Sequence, residues 1–159
     1  MSFLIRDARA DDAPDVARLT RQLGYSPSLE HVTASLSRIL VRPGERFAIA
    51  DLDGQAVGWV HAVAADFVDV EPFVLIAGLV VDAGVRRQGV GRRLMTHVEE
   101  WAAQQGCDVV RLTSSSTRAA AHRFYERIGY TNIKTQYSFA KRLDGASPTA
   151  LHAFVPNVD

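Results

Sequence analysis

Cysteine occurs once in this chain, at Cys107, and no long apolar run or excess of one charge compensates for its scarcity. A lone thiol closes no disulfide within the chain and gives no argument for an oxidising compartment. Cys107 follows Gly106 at an expected helix end, with no histidine beside it, so it reads as a small core thiol and not as a nucleophile. His97 and His122 fall within expected helices without neighbours of ligand type, and no metal site is expected. Eighteen Lys and Arg offset eighteen Asp and Glu, which leaves no global field to gather nucleic acid or an anionic membrane. No stretch approaches the ~20 apolar residues that cross a bilayer, and Phe3-Leu4-Ile5 is too short for a signal-peptide core. The expectation is a cytoplasmic protein with no nucleic-acid or membrane partner.

What the chain does have is enough apolar material for one core: 47% hydrophobic residues in a chain of 159 residues and 17.4 kDa. An opening strand is expected over residues 2–6. Asp11 or Asp12 can cap a first helix carrying Pro14 in its first turn and Val16, Leu19 and Leu23 on one face, and Gly24 ends it. A second helix begins at Pro27-Ser28 and carries Leu29, Val32, Leu36 and Ile39 as one stripe before Pro43-Gly44 breaks it. Two runs around the turn signal Asp53-Gly54 predict a β-hairpin, and the almost wholly apolar run 73–81 a central strand. A further helix buries Val90, Leu94, Val98 and Trp101 and keeps Arg93, Glu99, Glu100 and Gln104 in water. Strands are expected over 109–113 and 133–143, with a short helix between them. The expected domain is 1–143. The tail at 144–159 has no clear period and can be disordered, packed on the surface or exchanged with a partner chain, which leaves a homodimer open.

The most informative run is Leu79-Val80-Val81-Asp82 leading through Arg86-Arg87-Gln88-Gly89-Val90-Gly91-Arg92-Arg93 into a helix. Glycine at 89 and 91 lets backbone approach a ligand, and the helix behind it offers unpaired N–H groups and the positive end of its dipole to an anion. Two familiar phosphate motifs fail here. A Walker loop needs Gly-Lys followed by Ser or Thr, where Arg92-Arg93 stands, and a Rossmann fingerprint needs a third glycine at the position of Leu94. A second block, Ala121-His122-Arg123-Phe124-Tyr125-Glu126-Arg127-Ile128-Gly129-Tyr130, reads as a short helix ending at Gly129 with an aromatic beyond it.

Together the two blocks resemble the pyrophosphate loop and the tyrosine helix of the GNAT superfamily of acyl-CoA-dependent N-acetyltransferases, over residues 3–142. The resemblance implies an α/β (α+β) domain with a mixed, mostly antiparallel central sheet, about four flanking helices, and splayed fourth and fifth strands. It implies acetyl-CoA as cosubstrate, with its pantetheine arm along Leu79, Val80 and Val81 and its pyrophosphate on the amides from Arg87 through Gln88, Gly89, Val90 and Gly91 to Arg92, near Arg86. The Val81 N–H is then the donor to the oxyanion of a tetrahedral intermediate, and Tyr125 the acid that protonates the departing thiolate. The other reading of Tyr125 is an aromatic packed with Phe124 and Ile128.

The chain departs from the family in two places. Many relatives carry a strand glutamate as base, where this chain has Ala77 or Leu75, so His61, Asp66, Asp69, Glu71 or a water relay must substitute, with water favoured. Many also carry asparagine where Arg118 stands, so that contact passes to Arg118 or to a serine such as Ser115. The segment from Thr113 to Tyr125 looks most like small-molecule enzymes, aminoglycoside-type ones included. A small amine is therefore the expected acceptor. An acetyl-CoA sensor of little activity, or an enzyme acting on a protein N-terminus or lysine, are the alternatives.

Overall fold

In the computed structural model, which describes residues 2–147, β1 (Leu4–Asp7) leads through a 3-10 turn at Ala10–Asp12 to α1 (Ala13–Arg21) and α2 (Leu29–Leu40). The hairpin β2 (Glu45–Leu52) and β3 (Gln55–Ala65) follows, then β4 (Phe73–Val81), a 3-10 turn at Ala83–Val85, α3 (Val90–Gln104), β5 (Val110–Arg111) and α4 (Ala119–Arg127). The sheet order is β1-β2-β3-β4-β5, antiparallel throughout except for β5, which runs parallel to β4. This is the expected α/β domain with four helices. Most of the expected tail, from residue 148 on, lies outside the described residues.

Local chemistry explains most boundaries. Asp53 and Gly54 both take positive φ (52° and 88°), the pair of left-handed residues that a two-residue hairpin turn requires. The Ser28 hydroxyl caps α2 by accepting the His31 N–H at 3.0 Å. Asp12 does not cap α1 as expected. Its carboxylate instead takes both Nη groups of Arg6 at 2.8 Å and the Arg9 amide at 2.7 Å, while Arg6 Nε reaches Asp51 at 2.8 Å, which fastens the chain ahead of α1 to β1 and β2.

Alternation along the strands divides the core between two faces. Phe47, Ile49, Trp59 and Val80 pack under α1 and α2, with Leu19 and Leu36 fully buried among them. Val60, Leu79 and Val81 face α3 and α4, where they meet Leu94, Met95, Val98, Trp101, Ala121 and Tyr125. Cys107 is a buried thiol of this second face. Each large side chain so buried contributes roughly 1.5–3 kcal/mol relative to exposure.

Three further expectations change. The strand expected over 109–113 pairs with β4 only at Val74↔Val110 and Leu75↔Arg111, supported by the Val74 N–H donating to the Val109 carbonyl at 2.9 Å. The strand expected over 133–143 does not form: its alternation is present, but no strand of the described chain lies beside it, and 131–141 is exposed throughout. Glu99 is half-buried, not in water, because its carboxylate accepts the Tyr130 hydroxyl at 2.9 Å.

Candidate active site

The site forms where β4 parts from β5. Beyond the two β5 pairs, no strand of the described chain pairs with β4 on that side up to Val81. β4 also carries one more residue than β3 at Ala77, since His61 faces Gly78 while Ala62 faces Ile76, and this bulge turns the strand where it leaves β5. Past the bulge, the Asp82 N–H donates to the Val57 carbonyl at 2.8 Å, so by alternation the backbone groups of Leu79 and Val81 point the other way, into the gap. Arg86 Nε, which donates to the Val81 carbonyl at 3.4 Å, agrees with that direction. Val80, expected at the same edge, instead faces β3 opposite Trp59.

Directly after Val81 the chain is held from below. Arg18 of α1 donates to Asp82 at 2.8 Å and to the Ala56 carbonyl at 2.6 Å, and Gln22 accepts the Ala83 N–H at 2.9 Å. Asp82 also accepts the Gly84 N–H at 2.9 Å. Burial opposes the charge of Asp82, but the Gly84 amide and Arg18 outweigh it and hold the carboxyl below its ordinary range. Arg18 and Gln22 escaped the sequence reading, because on α1 they look like ordinary surface residues. The signal was Asp82, an acid standing between an apolar strand and a basic loop.

The loop itself turns twice through left-handed backbone, at Arg87 (φ 64°) and Gly89 (φ 82°). A left-handed arginine is an uncommon, strained conformation, and a chain alternating hand in this way gathers its amides into a concavity suited to an anion. Gly89 is the N-cap of α3 with no side-chain cap, so the first amides of the helix, Val90, Gly91 and Arg92, have no acceptor within it. A Cβ on Gly89 would meet nothing within 4 Å, which leaves the cradle open where a phosphate would sit. The arginines do not all crowd it. Arg93 reaches the Phe3 carbonyl at 2.8 Å and lies over the Phe3 ring, and Arg92 leans to the Arg127 carbonyl at 3.4 Å.

Gly91 joins the cradle to α4. A Cβ there would stand 3.1 Å from Phe124 Cζ and 3.6 Å from Val81 Cγ2, so glycine lets Phe124 close down over the end of β4. The next residue, Tyr125, is buried, its ring edge-on to Phe124 at 5.1 Å and to Tyr130 at 6.0 Å. The Gly-aromatic ending of this segment has a physical basis: the Tyr130 N–H returns to the Tyr125 carbonyl at 2.9 Å and the Gly129 N–H to Glu126 at 3.1 Å, the double bond of a Schellman cap, with Gly129 at φ 101°. Burial pushes the Tyr125 phenol up to about 12, opposed by the nearby charge of Arg118. Arg118, also buried, opens α4, and the His122 ring binds the Ser115 carbonyl at 2.8 Å, which ties the serine loop to the same helix.

His61 stands apart from this group. Tyr125 belongs to the α3/α4 face of the sheet, whereas the His61 ring stacks on Phe47 of the α1/α2 face at 5.5 Å and pairs through Nε2 with Glu45 at 3.1 Å. The α1/α2 face holds a cavity of about 220 Å³ lined by Val16, Thr20, Val32, Leu36, Phe47 and Trp59 among others, beside a cleft of about 440 Å³ reaching Tyr25 and Ser26. The Trp59 indole N–H is buried without a hydrogen-bond partner among the described residues.

A family model described as the acetyltransferase (GNAT) family matches residues 11–130. An aminoglycoside N(6')-acetyltransferase type 1 of Serratia marcescens is 28% identical over 130 residues, which is 79% of this chain and 89% of that protein. An aminoalkylphosphonate N-acetyltransferase of Salmonella typhimurium is 28% identical over 150 residues, 87% of this chain and 90% of that one. Among solved structures, an aminoglycoside N-acetyltransferase, AAC(6')-Iy in complex with CoA, superposes with a TM-score of 0.81 at 23% identity, over 89% of this chain and 95% of its own. That likeness bears on the fold.

Proposed function

The chain belongs to the GNAT acetyltransferase family and is an acetyl-CoA-dependent N-acetyltransferase, and we propose that its acceptor is the primary amine of a small molecule. One observation carries the reading: the free edge of β4 at Leu79 and Val81, the open amide cradle at 87–92 and the buried hydroxyl-bearing Tyr125 meet at the end of one strand. The amides of a pantetheine arm fit such an edge as a neighbouring strand would, and a pyrophosphate fits the cradle. Arg86 and Arg87 add positive charge beside it, and a further cofactor contact falls to Ser115 or Arg118, just ahead of α4.

Acetyl-CoA supplies an acyl group activated as a thioester. The Val81 N–H, directed into the gap, donates to the oxygen on which negative charge develops. Tyr125, kept protonated by burial, gives its proton to the departing sulfur. An aliphatic ammonium with a pKa around 10 must lose a proton before it attacks. Ala77 and Leu75 cannot take that proton, and His61 stacks on Phe47 and pairs with Glu45 as a packed strand histidine does, so the base assigned here is a water relay on the α1/α2 face. The amine enters from that face, where Trp59 offers its unpartnered N–H.

Purified protein with acetyl-CoA and a panel of amines, read by free-thiol release, tests this. Thiol release that requires one class of small amine is expected. Release by no amine, with acetyl-CoA still bound, would favour the second reading, an acetyl-CoA-binding module of little activity, which the absence of a strand carboxylate supports.

A further inference from the structure

We propose that the acceptor is a monoamine built on a neutral ring that bears one hydrogen-bond acceptor, seated in the cavity under α1 and α2 and read there by the Trp59 indole N–H. This names a substrate class within the small-amine reading and rests on it. The floor of the cavity is aromatic. Phe47 and Trp59 stack with centroids 5.1 Å apart at an interplanar angle of 27°, and His61 continues the row beyond Phe47. Val16, Val32 and Leu36 supply aliphatic walls from the two helices. At about 220 Å³ the space exceeds the ~150 Å³ that holds a benzene in an apolar protein cavity, by enough for a substituent on the ring.

One polar atom interrupts this lining. Trp59 is 9% exposed, and its buried indole N–H meets no acceptor among the described residues. A buried donor left unpaired forfeits its hydration, so protein interiors seldom keep one without a use. The Cη2–Cζ3 edge of the ring is fitted against Gly78, where only glycine leaves it room, which fixes the indole in place. A ketone, amide or ether oxygen on a bound ring supplies what the N–H lacks. The floor also lies near the chemistry. Trp59 pairs with Val80 in the sheet, one residue of roughly 3 Å from Val81, so a two-carbon arm joins a ring on this floor to an amine at the gap.

The charges around the cavity decide against a polycation. Among the described residues, neither the cavity nor the adjoining cleft is lined by a carboxylate. Asp15 of α1 is taken by Arg18 at 3.2 Å and by the Ala56 N–H at 3.1 Å, and Glu45 by His61 and Arg42. Glu30 is exposed in the first turn of α2, outside the lining, and Asp66, Asp69 and Glu71 belong to the β3–β4 loop, at the end of β4 away from Val81. An ammonium seated among Val32, Leu36 and Phe47 would lose its hydration without gaining a counter-charge, and the ring faces recover only part of that. The acceptor therefore carries its charge at the reacting nitrogen alone.

Thiol release from acetyl-CoA, measured with 3- and 4-acetylphenethylamine, with the isopropyl counterpart of each and with kanamycin as a polycation, tests the inference. The isopropyl group keeps the shape and removes the oxygen, so an acetyl compound should exceed its counterpart in kcat/KM by about tenfold or more, and kanamycin should fall about a hundredfold below it. Trp59→Phe should abolish the preference for acetyl over isopropyl and leave acetyl-CoA affinity unchanged; the comparison in the parent chain does not depend on that variant. The Trp59 indole ¹H–¹⁵N signal, identified by its absence from Trp59→Phe, should move downfield with the acetyl compound and stay in place with kanamycin. Preference for kanamycin, or equal rates for acetyl and isopropyl compounds at both ring positions, overturns the inference and leaves the small-amine reading standing. An indole signal unmoved by every ring compound overturns it too. No thiol release with any amine overturns the transfer reading itself, and the indole signal then decides alone whether the cavity takes such rings.

Discussion

The Trp59 indole lies so close to Gly78 that a Cβ built on residue 78 would stand 2.7 Å from both Cη2 and Cζ3 of the ring. No other residue than glycine fits there without moving a side chain that lines the α1/α2 cavity. Gly78→Ala should therefore cost about 1–3 kcal/mol, the usual range for overpacking, and lower Tm by several degrees. An unchanged melting temperature and tryptophan emission would mean that the ring swings aside freely.

Gly89 separates conformation from charge. At φ 82°, alanine strains the backbone, whereas aspartate adds a negative charge where the phosphates would lie. Gly89→Ala should weaken acetyl-CoA binding by about tenfold or less, and Gly89→Asp by about a hundredfold or more. Calorimetry giving equal losses for the two would show that the cradle acts through its shape alone.

For Tyr125, phenylalanine keeps the packing against Phe124 and Tyr130 and removes only the hydroxyl. As general acid, its loss should lower kcat by roughly ten- to a thousandfold with little change in acetyl-CoA affinity. Because burial pushes this phenol up to about 12, wild-type activity should show no alkaline fall from its ionisation through pH 10. A Tyr125→Phe enzyme of normal kcat, with chemistry limiting, would return the residue to a packing role.

His61→Ala tests the proton route. With His61 bound to Glu45 and stacked on Phe47, the change should leave the shape of the kcat/KM profile against pH unaltered, since water carries the proton. Loss of its acidic limb in the variant would make His61 the base.

The cluster of Arg6 with Asp12 and Asp51 predicts the acid limit of stability. Burial alone would raise Asp12, yet the Arg6 and Arg9 bonds hold it below its ordinary value of 3.8; at Asp51 the Arg6 bond acts in the same direction. Carboxyls lowered in the folded state contribute stability that is present above about pH 4 and lost as pH falls through their folded values. Tm should be level from neutrality to about pH 4 and drop below it. Arg6→Met, which strands a buried carboxylate, should cost about 3 kcal/mol at neutral pH and invert the trend, acid then relieving the lone charge. A variant with the parent's acid profile would remove the cluster from this account.

The phosphate loop and the tyrosine helix were legible in the sequence because each is a local device. Left-handed turns at Gly89 and Gly129 and an uncapped helix start leave marks within ten residues. The unbroken apolar run likewise located β4 to the residue. What stayed hidden depends on partners far along the chain. The carboxylate of Asp12 looks like a helix cap until Arg6 and Asp51 are brought to it, and Glu99 looks solvated until Tyr130 arrives. Arg18 and Gln22 carry no sign that they brace Asp82. The strand pattern over 133–143 was readable, but whether a strand forms is decided by its neighbour, and the described residues provide none.

The unoccupied flank of β4 also bears on how the protein avoids sticking to itself. An exposed strand edge inside a split sheet can template the pairing of any partly unfolded chain. Here the usable stretch is short: Ala77 breaks the pleat at one end, the Arg86 guanidinium covers the Val81 carbonyl at the other, and Val80 is spent on β3. Only Leu79 and Val81 remain to pair, fewer rungs than a foreign strand needs for a stable ladder. A slender ligand bearing two amides can still use both. The device that would read the cosubstrate is thus also a filter against aggregation, and lengthening that edge should trade solubility for affinity.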